Sequence, residues 1–366
     1  MSFYEIILWI AAIGVVIGGA DHLMKNRFGL GSKFMEGFEI MRTLAIASAG
    51  IIVLAPVLAE WLQPLLLPVF RLLHADPAMF GSLIANDMGG YPLAMMLAED
   101  NEMGLMFGAI TSSMLGATLV FILPVGMGVI CKEDVPYFIR GMLLGIITIP
   151  VGSIAGGMAA GFDIGKVLVN HIPVLLLSAL LAVGFALIPQ KVVRAAAAVG
   201  RGVSYLSIIG IVLGAFMHLT GRTIPLFEKA DPLMNALEVA AGIAVVLLGI
   251  LPIIELLMRA MKKPLNRLGS LLGVNAESAS GLVCALANPM PPLNMLKNMD
   301  PRGKVINIAW LTCVQCVFGD HLGFTAGVAP DMVAPMIMGK LAGGACAMVL
   351  AVWQTRKMAD NQTIVH

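Results

Sequence analysis

Apolar runs of about 20 residues follow one another along almost the whole chain, parted by short polar stretches that carry Lys and Arg. Each run is long enough to cross a hydrocarbon layer of roughly 30 Å as a helix. The runs fall near residues 3–20, 37–61, 103–125, 137–160, 167–188, 202–219, 234–257, 303–324 and 332–354, a pattern that predicts nine membrane crossings. Two further apolar segments, 77–98 and 275–297, are interrupted. One contains Asn86-Asp87-Met88-Gly89-Gly90-Tyr91-Pro92 and the other Asn288-Pro289-Met290-Pro291-Pro292. Backbone that is not helical at membrane depth is tolerated only where it is buried in protein or lines a water-filled cavity.

The interruptions occupy matching places in an internal repeat. Ile13 to Leu23 resembles Ile209 to Leu219, and from Phe38 to about Gly104 a constant offset of 199 residues holds without a gap. It pairs Glu39 with Glu238, Gly50 with Gly249, Pro92 with Pro291 and Gly104 with Gly303. Broken hydrophobic segments at corresponding positions of two halves point to the binding site of a transporter.

Lys and Arg decide whether the broken segments cross or turn back, because they concentrate on the cytoplasmic side. With an outside N-terminus and two re-entrant hairpins, Lys25 to Arg42, Lys132, Arg140, Lys191 to Arg201, Arg259 to Arg267, Lys297 to Lys304 and Arg356 all fall inside. Only Arg71, Lys166, Arg222 and Lys229 fall outside, with Lys340 inside a span. Crossing segments would destroy this bias. The expected fold is therefore an all-α polytopic membrane protein with a cytosolic C-terminus. Residues 1–366 form one membrane domain, an inverted repeat of residues 1–188 (with 167–188 as the inverting helix) and 197–366. The arm Pro77 to Asp87 is expected to be helical and about 16 Å long, half the membrane, so that the two tips meet near the midplane.

Composition sharpens this picture. The chain is 59% hydrophobic and 12% charged, with a formal net charge of +1, so nothing points to nucleic acid. Phe3 to Ala20 carries Glu5 instead of a basic leader and lacks a small-residue cleavage site, so it is expected to stay as a span. Cys131 is placed in a cytosolic loop. Cys313 and Cys316 have metal-like spacing but sit in an apolar span, where small packing residues are the expectation. No cofactor is expected: there is no Walker A sequence, no His-Glu-x-x-His and no Gly-x-Ser-x-Gly.

The polar cavity implied by the tips collects Asn86, Asp87 and Tyr91 from the first and Asn288 and Asn294 from the second. Asp87 is the leading carboxylate, since an ionisable group at this depth marks a substrate path; the alternative is a helix cap at a chain reversal. The tips contain no basic residue, which suits a cation. Gly319-Asp320-His321-Leu322-Gly323-Phe324 is a second polar interruption, with Asp320 and His321 as candidates against a plain outer helix end. Thr111-Ser112-Ser113 is a polar stripe, and Ser112 either lines the site or satisfies neighbouring backbone. Glu39 and Arg42 are spaced for an ion pair. Glu99, Asp100 and Glu102 form an acidic cluster that either concentrates cations or is a solvated loop. Lys340 either snorkels outward or pairs with a buried acid.

Four stretches carry a resemblance: the first tip, Ala287-Asn288-Pro289-Met290-Pro291, Met299 to Asn307, and Gly319 to Phe324. With Met35-Glu36-Gly37-Phe38 they resemble the ethanolamine-utilisation permease family, EutH, nearly end to end. The resemblance implies a bacterial inner-membrane protein that brings ethanolamine to a cobalamin-dependent lyase, often in a microcompartment. The architecture also resembles that of concentrative nucleoside transporters, a likeness of fold that says nothing firm about substrate. A nucleoside or polar-solute symporter, a structural membrane partner and an intramembrane enzyme stay open as other classes, and so does a homo-oligomer.

Overall fold

A computed structural model describes residues 3–84 and 90–356, leaving aside the side chains of residues 261–263, 265, 266, 268 and 270. Asn86 and Asp87, on which the first tip was expected to turn, lie outside the described residues. Everything regular among those described is helix.

In chain order the helices are α1 (Phe3–Leu23), α2 (Leu30–Leu72), α3 (Ala78–Gly81), α4 (Gly90–Leu97) and α5 (Asn101–Leu105). A π-helical stretch, Met106–Ile122, joins α5 to α6 (Leu123–Val129). Then come α7 (Val135–Ala159), α8 (Ile164–Asn170), α9 (Ile172–Leu187), α10 (Pro189–Thr220) and α11 (Leu233–Leu272). The chain ends with α12 (Ala276–Ala287), α13 (Met290–Met295), α14 (Pro301–Val314), α15 (Asp320–Val328) and α16 (Val333–Gln354).

Among the described residues, seven helices are long and apolar enough to cross a membrane, or eight if the bent pair α8–α9 is one span. The span expected at 303–324 is not one helix: α14 stops at Val314 and α15 starts at Asp320. Several helices outrun their apolar runs. α2 has 43 residues where 37–61 was expected, because it starts earlier, at Leu30, and runs on through an apolar stretch containing Pro64 and Pro68 to Leu72.

Burial separates centre from rim. In the Asn101–Val129 helix 83% of the most apolar stretch is buried against protein, but only 28% in α1 and 22% in α10. The exposed faces of α1 and α10 carry Trp9, Val16, Ile208 and Val212, large apolar side chains suited to lipid. Positions paired by the sequence repeat make equivalent close contacts. A Cβ on Gly50 of α2 would lie 1.6 Å from the Ser207 carbonyl oxygen of α10. A Cβ on Gly249 of α11 would lie 1.8 Å from the Ala11 carbonyl oxygen of α1. Only glycine permits either crossing.

Both interrupted segments return to where they began. Asp76 Oδ2 accepts the backbone N–H of Glu99 (3.1 Å) and Asp100 (2.8 Å), which ties the start of the first segment to its end. Asn275 donates through Nδ2 to the Asn298 carbonyl (2.9 Å) and through its backbone N–H to Asp300 Oδ1 (2.9 Å), doing the same for the second. The first arm departs from expectation. Its described part is only a single α-turn, and 3₁₀-type bonds such as Leu83 N–H to Phe80 O (3.1 Å) and Ile84 N–H to Gly81 O (3.2 Å) continue it. A 3₁₀ course rises about 2.0 Å per residue, so it reaches further than an α-helix of equal length.

Asp76 also receives the Ala78 N–H (2.8 Å). Burial pushes its carboxyl above the ordinary carboxylate value in spite of these three donors. The native protein then holds an extra proton just above pH 3.8, and rising pH removes that stabilisation by ionising a buried group. Relative to Asp76→Asn, which does not titrate, the wild-type melting temperature is expected to fall as the pH rises from 3.8 towards neutral. A constant difference between the two proteins across that range would contradict this account.

Candidate functional site

A cavity of about 440 Å³ lies where the second tip meets the break between α14 and α15. The break is held by the tip itself. Cys316 N–H donates to the Ala285 carbonyl (3.1 Å) and Phe318 N–H to the Leu286 carbonyl (2.9 Å), so the last carbonyls of α12 are satisfied by backbone that left its own helix. Gly319 packs so closely that a Cβ there would stand 2.1 Å from the Ala287 carbonyl oxygen. Two pieces of irregular backbone thus satisfy each other, which is the condition for such backbone to be tolerated at membrane depth.

Asn288 lines this cavity. Its Oδ1 accepts the Met290 N–H (2.8 Å), which starts α13 and leaves the amide hydrogens as the group offered to a ligand. Asp320, half-buried on the cavity wall, is the first residue of α15, and its Oδ1 accepts the His321 N–H (3.0 Å). A helix N-terminus stabilises a negative charge placed there, so Asp320 is a carboxylate held facing the cavity. Gln315 and Phe121 complete the deep wall, and Lys33, Glu36 and Glu255 form the rim. The rim charges are matched: Lys33 pairs with Glu36 (2.6 Å) and Glu255 with Arg259 (2.8 Å). No pair forms between Glu39 and Arg42 among the described residues; α2 uses Lys33 and Glu36 at the same spacing.

His321 sits on the floor, buried, with Nδ1 2.9 Å from Lys340 Nζ. Lys340 is 0% exposed and donates to the Ser113 carbonyl at 2.6 Å. It does not snorkel; the contacts described join it to a histidine and a backbone carbonyl. Sequence alone left its role undecided. The available signal was a lysine with apolar and small neighbours throughout Val333–Gln354. Gln315 was also missed, a lone amide in an apolar run, now buried with Nε2 3.3 Å from Thr118 Oγ1.

The remaining candidates lie elsewhere. Tyr91 does not line the cavity; its hydroxyl donates to the Val328 carbonyl (3.3 Å) and its ring stands edge-on to Phe324 at 5.9 Å. It fastens α4 to α15. Asn294 is exposed on α13, apart from Asn288. Ser112 donates to the Gly108 carbonyl of its own helix, which is the backbone-satisfying role. Thr111 instead joins a buried chain, with Oγ1 2.6 Å from Ser153 Oγ and that oxygen 2.8 Å from His171 Nε2.

Each acid of the acidic cluster is paired with a base. Lys166 holds Asp100 (2.5 Å) and Glu102 (2.7 Å), and Arg71 holds Glu99 (2.8 Å). Burial raises the Asp100 carboxyl, but the Lys166 contact and the N–H groups of Met103 and Glu102 outweigh it and hold the acid below its ordinary value. Cys313 packs its Sγ against Thr148 Oγ1 (3.5 Å) and the Gly145 carbonyl (3.7 Å), as a small contact residue between α14 and α7.

Comparison with known proteins gives this arrangement its relatives. A "Probable ethanolamine permease EutH" of Listeria monocytogenes is 45% identical over 371 residues, covering 100% of this chain and 99% of its own. The "Uncharacterized protein YxeR" of Bacillus subtilis is 39% identical, covering 99% and 98%. A "Probable ethanolamine permease EutH" of Salmonella typhimurium is also 39% identical, covering 96% and 95%. No solved structure matches the chain. The profile of the family described as "Ethanolamine utilisation protein, EutH" matches residues 3–354, the whole of the helical body described above, and the chain belongs to that family.

Proposed function

We propose that this protein is a bacterial inner-membrane permease that carries ethanolamine, as its ammonium form, by alternating access through the cavity between the second tip and the α14–α15 break. The observation that carries the reading is Asp320: one carboxylate at the start of α15 on the wall of a cavity that the amide of Asn288 also lines. The carboxylate takes the ammonium and the Asn288 amide donates to the hydroxyl oxygen. Phe121, not Tyr91, supplies the aromatic wall. Aromatic faces favour cations by about 0.5–2 kcal/mol. A neutral nucleoside would leave Asp320 unmatched. Asp87 of the first tip stays the other candidate carboxylate. The names of the relatives support the substrate.

The sidedness follows the charge pattern. Polar contacts sort the helix ends into two groups. One joins Asp134 to Lys304 (2.5 Å), Arg140 to Gln354 (2.9 Å) and Arg259 to the Phe28 carbonyl (2.7 Å). The other joins Glu60 to Lys229 (2.7 Å), Asp76 to Asn170 (2.6 Å) and Tyr4 to the Ala326 carbonyl (3.3 Å). These are the groups that the Lys and Arg distribution assigns to cytosol and outside. They support nine crossings, two re-entrant hairpins and an inverted repeat, with the broken α14–α15 as one crossing. The cavity rim then faces the cytosol, and Tyr91 with Phe324 closes the outer side.

Cys131 is the one exposed cysteine among the five and gives a native probe. An impermeant maleimide is expected to label it only from the cytosolic side, and a cysteine at Arg222 only from outside. Outside labelling at Cys131 would reverse the orientation. The function itself is tested by uptake of labelled ethanolamine into proteoliposomes, with nucleosides as competitors. Saturable uptake blocked by ethanolamine and untouched by nucleosides is expected; the opposite pattern would refute the substrate.

A further inference from the structure

A second cavity, of about 650 Å³, lies between α2, α10 and the junction of the π-helical stretch with α6. Close backbone contacts frame it. Ser207 Oγ of α10 donates to the Ile46 carbonyl of α2 (2.8 Å). Further along both helices, a Cβ on Gly210 would stand 2.1 Å from the Gly50 carbonyl oxygen, and one on Gly214 would stand 3.4 Å from Val53. The contacts advance together in the two chains, so α2 and α10 run parallel. Earlier on α10, a Cβ on Gly200 would stand 2.9 Å from the Val120 carbonyl oxygen. Beside these contacts a groove remains, with Ile46, Val120, Pro124 and Ile208 in its apolar lining. Ile46 is 55% exposed and Ile208 50%, on helices that offer such side chains to lipid, so the groove opens sideways into the bilayer.

Arg42 and Arg201 line the same groove. Arg42 precedes Gly50 by eight residues and Arg201 precedes Ser207 by six. At 1.5 Å per residue these are about 12 Å and about 9 Å along two parallel helices, so the two guanidinium groups stand at similar depth on one side of the crossing. Gly50 lies in the middle of the apolar run 37–61, which brings both arginines towards the edge of a hydrocarbon layer roughly 30 Å thick. The groove has no Asp or Glu in its lining. Neither arginine takes part in an ion pair among the described residues. Two guanidinium groups at one level, with an apolar wall leading from them towards the midplane, match a molecule that is anionic at its head and apolar behind it. Guanidinium groups bind phosphate oxygens with paired N–H bonds. A soluble anion would leave the apolar wall unused. A zwitterionic lipid would bring its own ammonium against the arginines.

We propose that this groove is a binding site for one anionic phospholipid, with its phosphate on Arg42 and Arg201 and an acyl chain along Ile46, Val120 and Ile208. The sidedness proposed above puts the phosphate in the cytosolic leaflet, where anionic lipid and basic side chains attract one another. Thr43 and Phe121 line both this groove and the cavity that holds Asp320, so the lipid lies behind the wall of the ethanolamine cavity. The inference needs the membrane setting of the chain and is independent of the substrate.

Delipidated wild-type protein in neutral detergent is titrated with phosphatidylglycerol or phosphatidylcholine of identical acyl chains, and bound lipid is counted by native mass spectrometry. Expected is one phosphatidylglycerol held about tenfold more tightly than phosphatidylcholine. Arg42→Gln and Arg201→Gln are each expected to weaken it about tenfold, because each removes a charge-assisted contact. Ser204→Trp keeps both arginines but fills the groove that Ser204 lines. It is expected to exclude the lipid, and it serves if the arginine variants do not fold. Lys191→Gln combined with Arg194→Gln removes two exposed charges from α10 outside the groove and is expected to bind as wild type. Equal binding of the two lipids overturns the site. So does binding that persists in the double arginine variant or in Ser204→Trp, and so does an equal loss in the Lys191 and Arg194 control. Excess inorganic phosphate is expected to leave the lipid in place; displacement by it would overturn the lipid as ligand in favour of a soluble anion. None of these measurements involves ethanolamine, so their failure leaves the permease reading standing.

Discussion

Asp320→Asn is expected to weaken ethanolamine binding ten- to a hundredfold while leaving the protein folded and inserted. Asn keeps an oxygen that accepts the His321 N–H, the contact that opens α15, and Asn starts helices as well as Asp does. What the substitution removes is charge. Hydrogen bonds to charged groups contribute about 1.5–3 kcal/mol, which sets the range of the loss. A role in helix capping alone forecasts near-silence. Uptake by a normally expressed Asp320→Asn protein at the wild-type level would take Asp320 out of the site. Asp87→Asn, measured beside it, then tells whether the first tip supplies the carboxylate instead.

Gly319→Ala is expected to cost more than its single methyl suggests. The added Cβ would sit 2.1 Å from the Ala287 carbonyl oxygen, and that neighbour is backbone, which has no rotamer to yield. The tip and the break must separate, which disturbs the hydrogen bonds from Cys316 and Phe318 to α12. Overpacking alone costs typically 1–3 kcal/mol, and here the strain falls on the wall that holds Asp320 and Asn288. A loss of transport exceeding tenfold is expected, with a lower melting temperature. Gly327→Ala, where a Cβ meets nothing within 4 Å, is the matched control and should behave as wild type. Equal transport by the two variants would mean that the tip does not need to seat on the break.

The interruptions in the sequence marked the right places for unusual backbone. Gly319-Asp320-His321 is where α14 and α15 part, and Asn288 is where α12 ends. Polarity at membrane depth was enough to find them, because lipid offers no partner for an exposed peptide group. The same reasoning put Asn294 and Tyr91 into the cavity with Asn288, and the structure separates them. Which face of a short arm a side chain occupies depends on where the arm seats, and segments of six to eight residues carry too little periodicity to tell. Ser112 was open to two readings and took the local one, donating to its own helix.

The sequence by itself determined the membrane setting, the sites of interruption and the family resemblance. Each of these depends on composition or on residues adjacent in the chain. Only the tertiary structure decided which interruptions meet, that the acids of the cluster pair with Lys166 and Arg71, and that Lys340 lies against His321. Those facts join residues far apart in the chain, through helix crossings fixed by glycines such as Gly50 and Gly249. A glycine tells that two backbones touch somewhere, but not which two. That choice is made by packing every helix at once, and no single stretch of the chain contains it.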